Sequence, residues 1–455
     1  MRIIIAGAGQ VGVGLAKYLR AENHDIVLID NNIDHLGNLS EQLDIQTIEG
    51  SSALPSVLEK AGAAQADIFL AVTGNDETNI VACGVADAIY RIPQRIVRIS
   101  AHEYLVKKYK DYLIGQNLDV VLSPEEETAR HVLDNLSISS GVDLYNLADG
   151  CARVVGLRCK KTSLMFSKTV PEIETLLKDI RAKIIAVKRR HRLVSLEKAL
   201  VRASDDVYFV VAESDFQQFL DILSYQKIDP DCVMIFGGGK VGYQLAKLME
   251  SSHFCKNITI VEKDENRARY LAERLNSSVV IHGDGLDDSL IEDLNLKNYQ
   301  IAIATTQSDE SNVLLSMVSK RNNMDKTCAL IHNQLYNDLL FEMGVDVSID
   351  PNAVLVSSIL QHIRKGKVKG DYFISSGVGE ILEVEAIETA KITHKPIGKL
   401  KVPAGVMIAG IVRNGIFTLP APDFQIESKD RVILFVERGH VKDAESLFTV
   451  GFNFF

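Results

Sequence analysis

Several features that mark large classes of protein are absent from this 455-residue sequence. No apolar stretch approaches the roughly 20 residues that a helix needs to cross a bilayer. The six cysteines include no C-x-x-C pair, and most lie in apolar runs, where a thiol acts as a small core side chain. We therefore expect neither a zinc site nor a disulfide framework, and we expect reduced thiols in the cytoplasm.

The chain also lacks an excess of positive charge and the common catalytic motifs. Its formal net charge is -10, which argues against nucleic acid as a partner. It contains no G-x-S-x-G, no H-E-x-x-H and no P-loop sequence. The histidines are scattered, and spacing nominates no acid or base for hydride transfer. The sequence thus predicts no catalytic residue and no metal site, and we interpret the protein as a non-enzyme.

One nucleotide-binding signature occurs twice, about half a chain apart. Each copy follows a short apolar run, and the copies read Gly7-Ala8-Gly9-Gln10-Val11-Gly12 and Gly237-Gly238-Gly239-Lys240-Val241-Gly242. In a doubly wound sheet the first glycine permits a tight turn, the second lets a pyrophosphate approach the backbone, and the third lets the helix pack on the strand. The helix amino terminus then presents unpaired N–H groups to the phosphates.

An acidic residue ends the next apolar run of each copy. Asp30 follows Ile26-Val27-Leu28-Ile29, and Glu262 follows Ile258-Thr259-Ile260-Val261. A carboxylate at this position accepts hydrogen bonds from the ribose hydroxyls of adenosine and would repel a ribose 2′-phosphate. This pattern favours NAD(H), or another adenine ribose without that phosphate, over NADP(H).

Three further residues are expected beside the first crevice. Thr73 and Gly74 end a buried strand pattern, and ligands bind at the carboxyl ends of parallel strands. Arg98 ends the following strand pattern and is either a phosphate contact or the partner of an internal salt bridge. The matching stretch of the second copy, Cys328-Ala329-Leu330-Ile331-His332, has no arginine.

The repeat extends well beyond the glycines. Thr73-Gly74-Asn75-Asp76-Glu77-Thr78-Asn79 is echoed in the same register by Thr306-Gln307-Ser308-Asp309-Glu310-Ser311-Asn312. Short runs of valine, isoleucine, alanine and leucine alternate with longer helical patterns, which is typical of βαβ units and a parallel sheet covered on both faces. A smaller module with β patterns and a polar turn follows each copy, near residues 184–211 and 407–436.

The predicted fold class is therefore α/β. We expect two Rossmann-like, doubly wound parallel-sheet domains, each followed by a small α+β lobe. Turn-forming and charged residues place the four segments at 1–138, 139–228, 229–364 and 365–455.

The whole chain resembles the RCK (KTN) family of potassium-transport regulators. The resemblance is carried by the first glycine signature, by Ala71 to Asn79 and Val121 to Pro124, and by Ile397 to Arg413 in the last module. It implies that the small lobes are RCK_C lobes. It also implies a cytoplasmic subunit, peripheral on the inner face of the cell membrane, that gates an integral-membrane Trk potassium transporter subunit through nucleotide-dependent conformational change.

The resemblance further implies a homotetramer that forms a ring of eight RCK units, with NAD(H), or alternatively ATP or ADP, bound in the nucleotide folds. The family's binding positions map onto Gly7, Ala8, Gly9, Gln10, Val11, Asp30, Thr73, Gly74, Arg98, Gly237, Gly238, Gly239, Lys240, Val241 and Glu262.

Two departures from the family pattern predict unequal sites. Gly283-Asp284 keeps the usual Gly-Asp after the third strand, whereas the first copy reads Gly50-Ser51, and the second copy lacks a counterpart of Arg98. The rival hypothesis is a soluble NAD-dependent oxidoreductase with a duplicated Rossmann fold, which hydride transfer from NADH would reveal.

Overall fold

The computed structural model describes residues 1–37, 39–116, 118–139, 141–190, 192–333, 340, 343, 345–363, 368–374 and 378–448. The chain divides into two compact units. One unit contains residues 1–128 together with the helix Pro351–Ile363, and the other contains residues 129–350 and the strands from Val368 onward.

The first unit is built on a six-stranded parallel sheet of order β3-β2-β1-β4-β5-β6. Four of the strands, β1, β2, β4 and β6, run mainly through buried apolar residues, as expected for a parallel sheet covered on both faces, whereas the edge strand β3 has no fully buried residue. The six strands are β1 (Arg2–Ala6), β2 (Asp25–Asp30), β3 (Gln46–Glu49), β4 (Ile68–Ala71), β5 (Gln94–Arg98) and β6 (Val120–Leu122). The helices between and after them are Gln10–Ala21, Ile33–Leu36, Leu39–Leu43, Pro55–Lys60, Asp76–Ala88, His102–Leu105, Lys107–Gln116 and Pro124–Asn135, the last of which continues past residue 128 into the second unit.

A helix from the far end of the sequence completes this unit. The helix Pro351–Ile363 packs across the helix Gln10–Ala21, where Gly14 leaves room for the Val356 side chain. At its ends, the Asn352 side-chain amide donates to Gln10 Oε1 (2.6 Å) and the His362 carbonyl accepts a bond from Gln94 Nε2 (2.8 Å).

The second unit contains the other parallel sheet, whose order β14-β13-β12-β15-β16-β17 repeats that of the first. Its strands are β12 (Cys232–Phe236), β13 (Asn257–Glu262), β14 (Val279–His282), β15 (Ile301–Ala304), β16 (Lys326–Leu330) and β17 (Val347–Ile349). The helices of this half of the chain are Lys240–Ser252, Glu265–Ala272, Asp288–Leu294 and Asp309–Arg321.

Two small antiparallel sheets lie in the same unit. The first has β7 (Gly141–Leu147), β8 (Ala152–Arg158), β9 (Ala182–Arg189), β10 (Arg192–Leu193) and β11 (Asp206–Ala212), with helices Val170–Leu176 and Phe216–Leu223. The second has β18 (Val368–Phe373), β19 (Gly379–Glu385), β20 (Val406–Arg413), β21 (Ile416–Thr418) and β22 (Arg431–Glu437), with helix Val441–Ser446. Their strand orders, β7-β8-β11-β9-β10 and β18-β19-β22-β20-β21, are the same when numbered along each lobe.

The two small lobes pack on each other through their sheets. One shared core joins residues of both, including Tyr208 and Ile185 of the first lobe and Ile433 and Phe417 of the second. The opposite face of each sheet has its own core beneath its helices. Each small sheet is therefore buried on both faces, which explains the strongly apolar strands β11 and β22.

The predicted fold class is confirmed: two Rossmann-like parallel sheets, each followed by a small α+β lobe. The four segment boundaries stay predictions, and the one at 364/365 lies outside the described residues.

Candidate functional site

The first glycine of each signature forms the turn that the sequence requires of it. Gly7 and Gly237 have φ of +112° and +100°, a conformation that side-chain-bearing residues rarely adopt. A Cβ at either glycine would also lie 3.0 Å from the backbone of the strand end opposite, at Thr73 or Thr305. These turns therefore depend on glycine.

The second and third glycines differ in their surroundings. A Cβ at Gly12 or Gly242 would collide with the carbonyl oxygen of the first glycine, so these residues let the helix pack closely on its strand. By contrast, no atom lies within 4 Å of a Cβ built on Gly9 or Gly239. Both are helix N-cap residues without a side-chain capping bond. Each helix thus begins at an open backbone surface, a favourable place for a phosphate.

Asp30 and Glu262 brace the glycine turns. Asp30 accepts hydrogen bonds from the Ala8 N–H (2.6 Å) and the Asn32 N–H (2.9 Å). Glu262 accepts the equivalent bonds from the Gly238 N–H (2.7 Å) and the Asp264 N–H (2.9 Å). Each carboxylate is therefore fixed beside its turn, and its remaining lone pairs are suited to ribose hydroxyls.

The other signature residues line the same turns. Ala8 and Val11 are buried, and Gly238 is enclosed by Leu271 and Glu262. Gln10 and Lys240 are exposed at the first positions of their helices, and Val241 is half-buried.

An asparagine network holds the loop after β4. Asn79, fully buried, accepts from the Thr73 N–H (3.0 Å) and hydroxyl (2.6 Å) and donates to the carbonyls of Thr73 and Arg98. Gly74, next to Thr73, is exposed and has open space around it. The second unit repeats the arrangement with Asn312 in place of Asn79 and Thr306 in place of Thr73.

These asparagines were missed as site residues, although the sequence carried a signal for them. Asn79 and Asn312 occupy the same place in the repeated segment, and both are polar residues on helices that cover a sheet. Asp76 and Asp309, three residues earlier, likewise accept backbone N–H bonds from the loops that follow β5 and β16.

Arg98 reaches the first loop from β5. Its Nη1 donates to the Thr73 carbonyl at 3.3 Å, and its Nε is buried without a hydrogen-bond partner. A buried unpaired donor is costly unless something satisfies it, so this guanidinium fits an added acceptor such as a phosphate. No salt-bridge partner of Arg98 is found among the described residues. Leu330 occupies the position of Arg98 in the second unit, because its carbonyl accepts the hydrogen bond from Asn312 as the Arg98 carbonyl accepts the one from Asn79.

The second unit places a different arginine at its glycine turn. Arg267 Nε donates to the Gly238 carbonyl (2.6 Å) and Nη2 to the Gly239 carbonyl (3.1 Å). Sequence reasoning did not nominate Arg267, because it lies in a helix outside the signature and only the fold brings it to the turn.

The Ser51–Asp284 difference between the two copies also has a structural consequence. Asp284 accepts a bond from Lys263 Nζ (2.8 Å) and another from the Leu286 N–H (3.0 Å), and the Lys263 bond lowers the pKa of Asp284 below its usual range. The first copy has Ser51 instead, whose hydroxyl accepts from the Ala53 N–H at 3.4 Å. Only the second copy therefore has an acidic side chain directly after the third strand of its parallel sheet.

Among the described residues, no group of three or more histidine, cysteine, aspartate or glutamate residues is arranged to hold a metal ion. No described helix is long and apolar enough to cross a membrane.

Sequence comparison assigns both parallel-sheet regions to one domain family. The TrkA-N domain matches residues 3–124 and 233–351, and the TrkA-C domain matches residues 381–449. Full-length relatives include the Trk system potassium uptake proteins TrkA of Azorhizobium caulinodans (32% identical) and Halomonas elongata (33% identical), each alignment covering 100% of both chains.

Solved structures show the same fold at low identity. The crystal structure of the GsuK RCK domain has a TM-score of 0.61 and 18% identity, covering 98% of this chain and 94% of that one. The structure titled "GsuK channel bound to NAD" also has a TM-score of 0.61 and 18% identity, covering 98% of this chain and 78% of that one.

The fold and its two glycine turns thus define a tandem repeat of a nucleotide-binding type of fold and a small lobe, and this fold is shared with the GsuK RCK domain. The chain belongs to the TrkA family of Trk-system potassium-uptake proteins. The names of its relatives denote potassium uptake and no enzymatic activity, which agrees with the prediction of a non-enzyme.

Proposed function

We propose that this protein senses nucleotides at its two glycine turns and gates an integral-membrane Trk potassium transporter subunit through the resulting change of shape. The observation that carries the proposal is the doubled turn itself. Each copy combines an open helix amino terminus with a carboxylate braced on the turn, at Asp30 or Glu262.

The proposed ligand is NAD(H), with ATP or ADP as the alternative. The braced carboxylates suit a ribose without a 2′-phosphate. The GsuK channel, which shares this fold, has been solved bound to NAD and bound to ADP. At the first site we propose Gly7 to Val11, Asp30, Thr73, Gly74 and Arg98 as contacts, and at the second Gly237 to Val241 and Glu262.

A ligand at the first turn would act directly on a distant part of the sequence. Gln10 lies in the turn and accepts a hydrogen bond from Asn352 at the start of the helix Pro351–Ile363. That helix also contacts Glu127 through the Ser358 hydroxyl (2.9 Å). A ligand that favours one position of this helix would shift the protein between two shapes, which is the requirement for regulation.

The working assembly that we propose is a homotetramer forming a ring of eight RCK units. It would be cytoplasmic and peripheral on the inner face of the membrane, bound to the transporter subunit and to no nucleic acid.

The test is potassium flux into vesicles that contain the transporter subunit, with the full chain added outside. We expect the flux to depend on the chain and to change when NADH or ATP is added. The double variant Asp30→Ala with Glu262→Ala should still bind the vesicles but lose the nucleotide response. Asp25→Ala, at the opposite end of strand β2, is the matched control and should retain that response. Flux that is identical with and without nucleotide would refute the proposal.

A further inference from the structure

The side chain of Arg267 meets the second glycine turn with one edge of its guanidinium. Arg267 belongs to the helix Glu265–Ala272, and its own N–H is fixed by the Asp264 carboxylate (2.7 Å). The bonds from Nε and Nη2 to the carbonyls of Gly238 and Gly239 lie along one edge of the guanidinium. Two bonds to a rigid turn fix the orientation of the guanidinium plane.

Two tyrosine rings support this guanidinium. Its Cζ lies 4.7 Å from the ring centroid of Tyr270 and 5.8 Å from that of Tyr243. The two rings are nearly perpendicular, at 67°, with centroids 6.2 Å apart. The guanidinium thus stands in an aromatic corner, and the side chain as a whole is only half-buried.

Arg267 and Glu262 both form hydrogen bonds with the backbone of Gly238. The Gly238 N–H donates to Glu262, and the Gly238 carbonyl accepts from Arg267. A ribose held by Glu262 would therefore carry its base close to the guanidinium.

No such platform is found among the described residues of the first site. The counterpart of Arg267 by position after the acid is His35, whose Nδ1 lies 3.4 Å from Asp30 Oδ1. The arginine of the first site, Arg98, reaches the crevice from the opposite side, on β5.

We propose that Arg267 recognises the base at the second site, stacking its guanidinium on the adenine ring of a nucleotide whose ribose is held by Glu262. This inference rests on the proposed nucleotide binding and adds a base-reading residue to one of the two sites. A planar cation supported on one side by an aromatic ring stacks favourably on a second π system.

A phosphate is the poorer ligand for this arginine. One edge of the guanidinium is already committed to two backbone carbonyls, and the Glu262 carboxylate beside it would repel a second anion. The phosphates are better served by the amino terminus of the helix Lys240–Ser252 and by Lys240 itself.

The experiment is a two-step ADP titration of the full-length chain by calorimetry. Arg267→Ala and Arg267→Lys should each weaken one of the two binding steps by about ten-fold, because neither alanine nor an ammonium offers a flat cationic face. His35→Ala, the matched change in the first copy, should leave that step unchanged. Inorganic pyrophosphate, which has no base, should compete with ADP at that step equally well in wild type and Arg267→Ala.

Three outcomes decide the matter. Wild-type ADP affinity at both steps in Arg267→Ala would overturn the inference. Retained affinity in Arg267→Lys, with weaker pyrophosphate competition in Arg267→Ala, would overturn it in favour of a phosphate contact. If the unchanged protein bound no ADP at all, the proposed function would fall and this inference with it, an outcome distinct from the other two.

Discussion

At the scale of single residues, the glycines and carboxylates of the glycine turns occupy equivalent positions in the two copies, whereas the arginines do not. The first glycines, Gly7 and Gly237, share a left-handed backbone, and both copies brace the turn with a carboxylate. Arg98 and Arg267, in contrast, reach their sites from different elements, the strand β5 and the helix Glu265–Ala272. Backbone geometry constrains the glycines so narrowly that sequence alone revealed them, whereas a cation can reach a phosphate or base from several directions.

The buried asparagine of each loop should matter for stability as much as for binding. Asn79→Ala removes an acceptor for the Thr73 N–H and a donor to two carbonyls inside the fold. Leaving such groups unpaired should destabilise the first unit by about 3 kcal/mol.

Urea unfolding followed by circular dichroism measures this loss. Asn31→Ala, at an exposed asparagine, serves as the control and should change the free energy of unfolding by less than about 0.5 kcal/mol. Equal unfolding midpoints for Asn79→Ala and the control would show that the network does not stabilise the loop.

At the scale of elements, each parallel sheet holds the end of a helix through one residue at the start of its fifth strand. In the first unit, Gln94 donates to the carbonyl of His362. In the second, the fully buried Lys326 donates through Nζ to the carbonyls of Asn135, Ile138 (2.6 Å) and Gly141 (3.2 Å). Carbonyls at the end of a helix carry partial negative charge, so they suit an ammonium group.

The periodicity of apolar residues predicted these strands and helices, but it did not predict which of them pack against each other. Nothing local to the helix Pro351–Ile363 indicates that it packs on the helix Gln10–Ala21, because that contact joins segments that are far apart in the sequence. Likewise, a lysine at the start of β16 has the pattern of a solvent-exposed strand end, and only the fold shows that it is enclosed. Long-range packing of this kind leaves no trace in a window of neighbouring residues.

Burial of Lys326 should make stability depend on alkaline pH. Desolvation lowers the pKa of Lys326 to about 8, below the value of about 10.4 for an unfolded lysine. Between these values the unfolded chain binds more protons than the folded one, so the free energy of unfolding contributed by Lys326 rises as pH increases.

The comparison with Lys326→Gln isolates this effect. In the variant, the contribution of Lys326 to the free energy of unfolding should no longer rise with pH. The difference in unfolding free energy between wild type and variant should therefore grow by up to about 1.4 kcal/mol per pH unit from about pH 8 to 10. Lys297→Gln, at an exposed lysine, should follow wild type. Parallel pH profiles for wild type and Lys326→Gln, from chemical unfolding, would contradict the expected shift.

At the scale of the whole molecule, the chain is a duplicated pair of nucleotide fold and small lobe. The sequence repeat predicted both parallel sheets and both antiparallel lobes, because buried strands and glycine turns leave strong local patterns. The assignment of site residues such as Thr73, Gly74 and Lys240 stays a prediction. The identical strand order of the small lobes shows that both copies of the pair are complete in topology, although their sites differ in detail.

The proposed function requires that this protein bind an adenine nucleotide without consuming it. Equilibrium titration of the purified chain with NADH, followed by recovery of the ligand, measures both properties. We predict saturable binding, weakened when Asp30 and Glu262 are both replaced by alanine, with all NADH recovered unoxidised. The proposed function would be contradicted by an absence of saturable binding at millimolar NADH, or by steady oxidation of the bound cofactor.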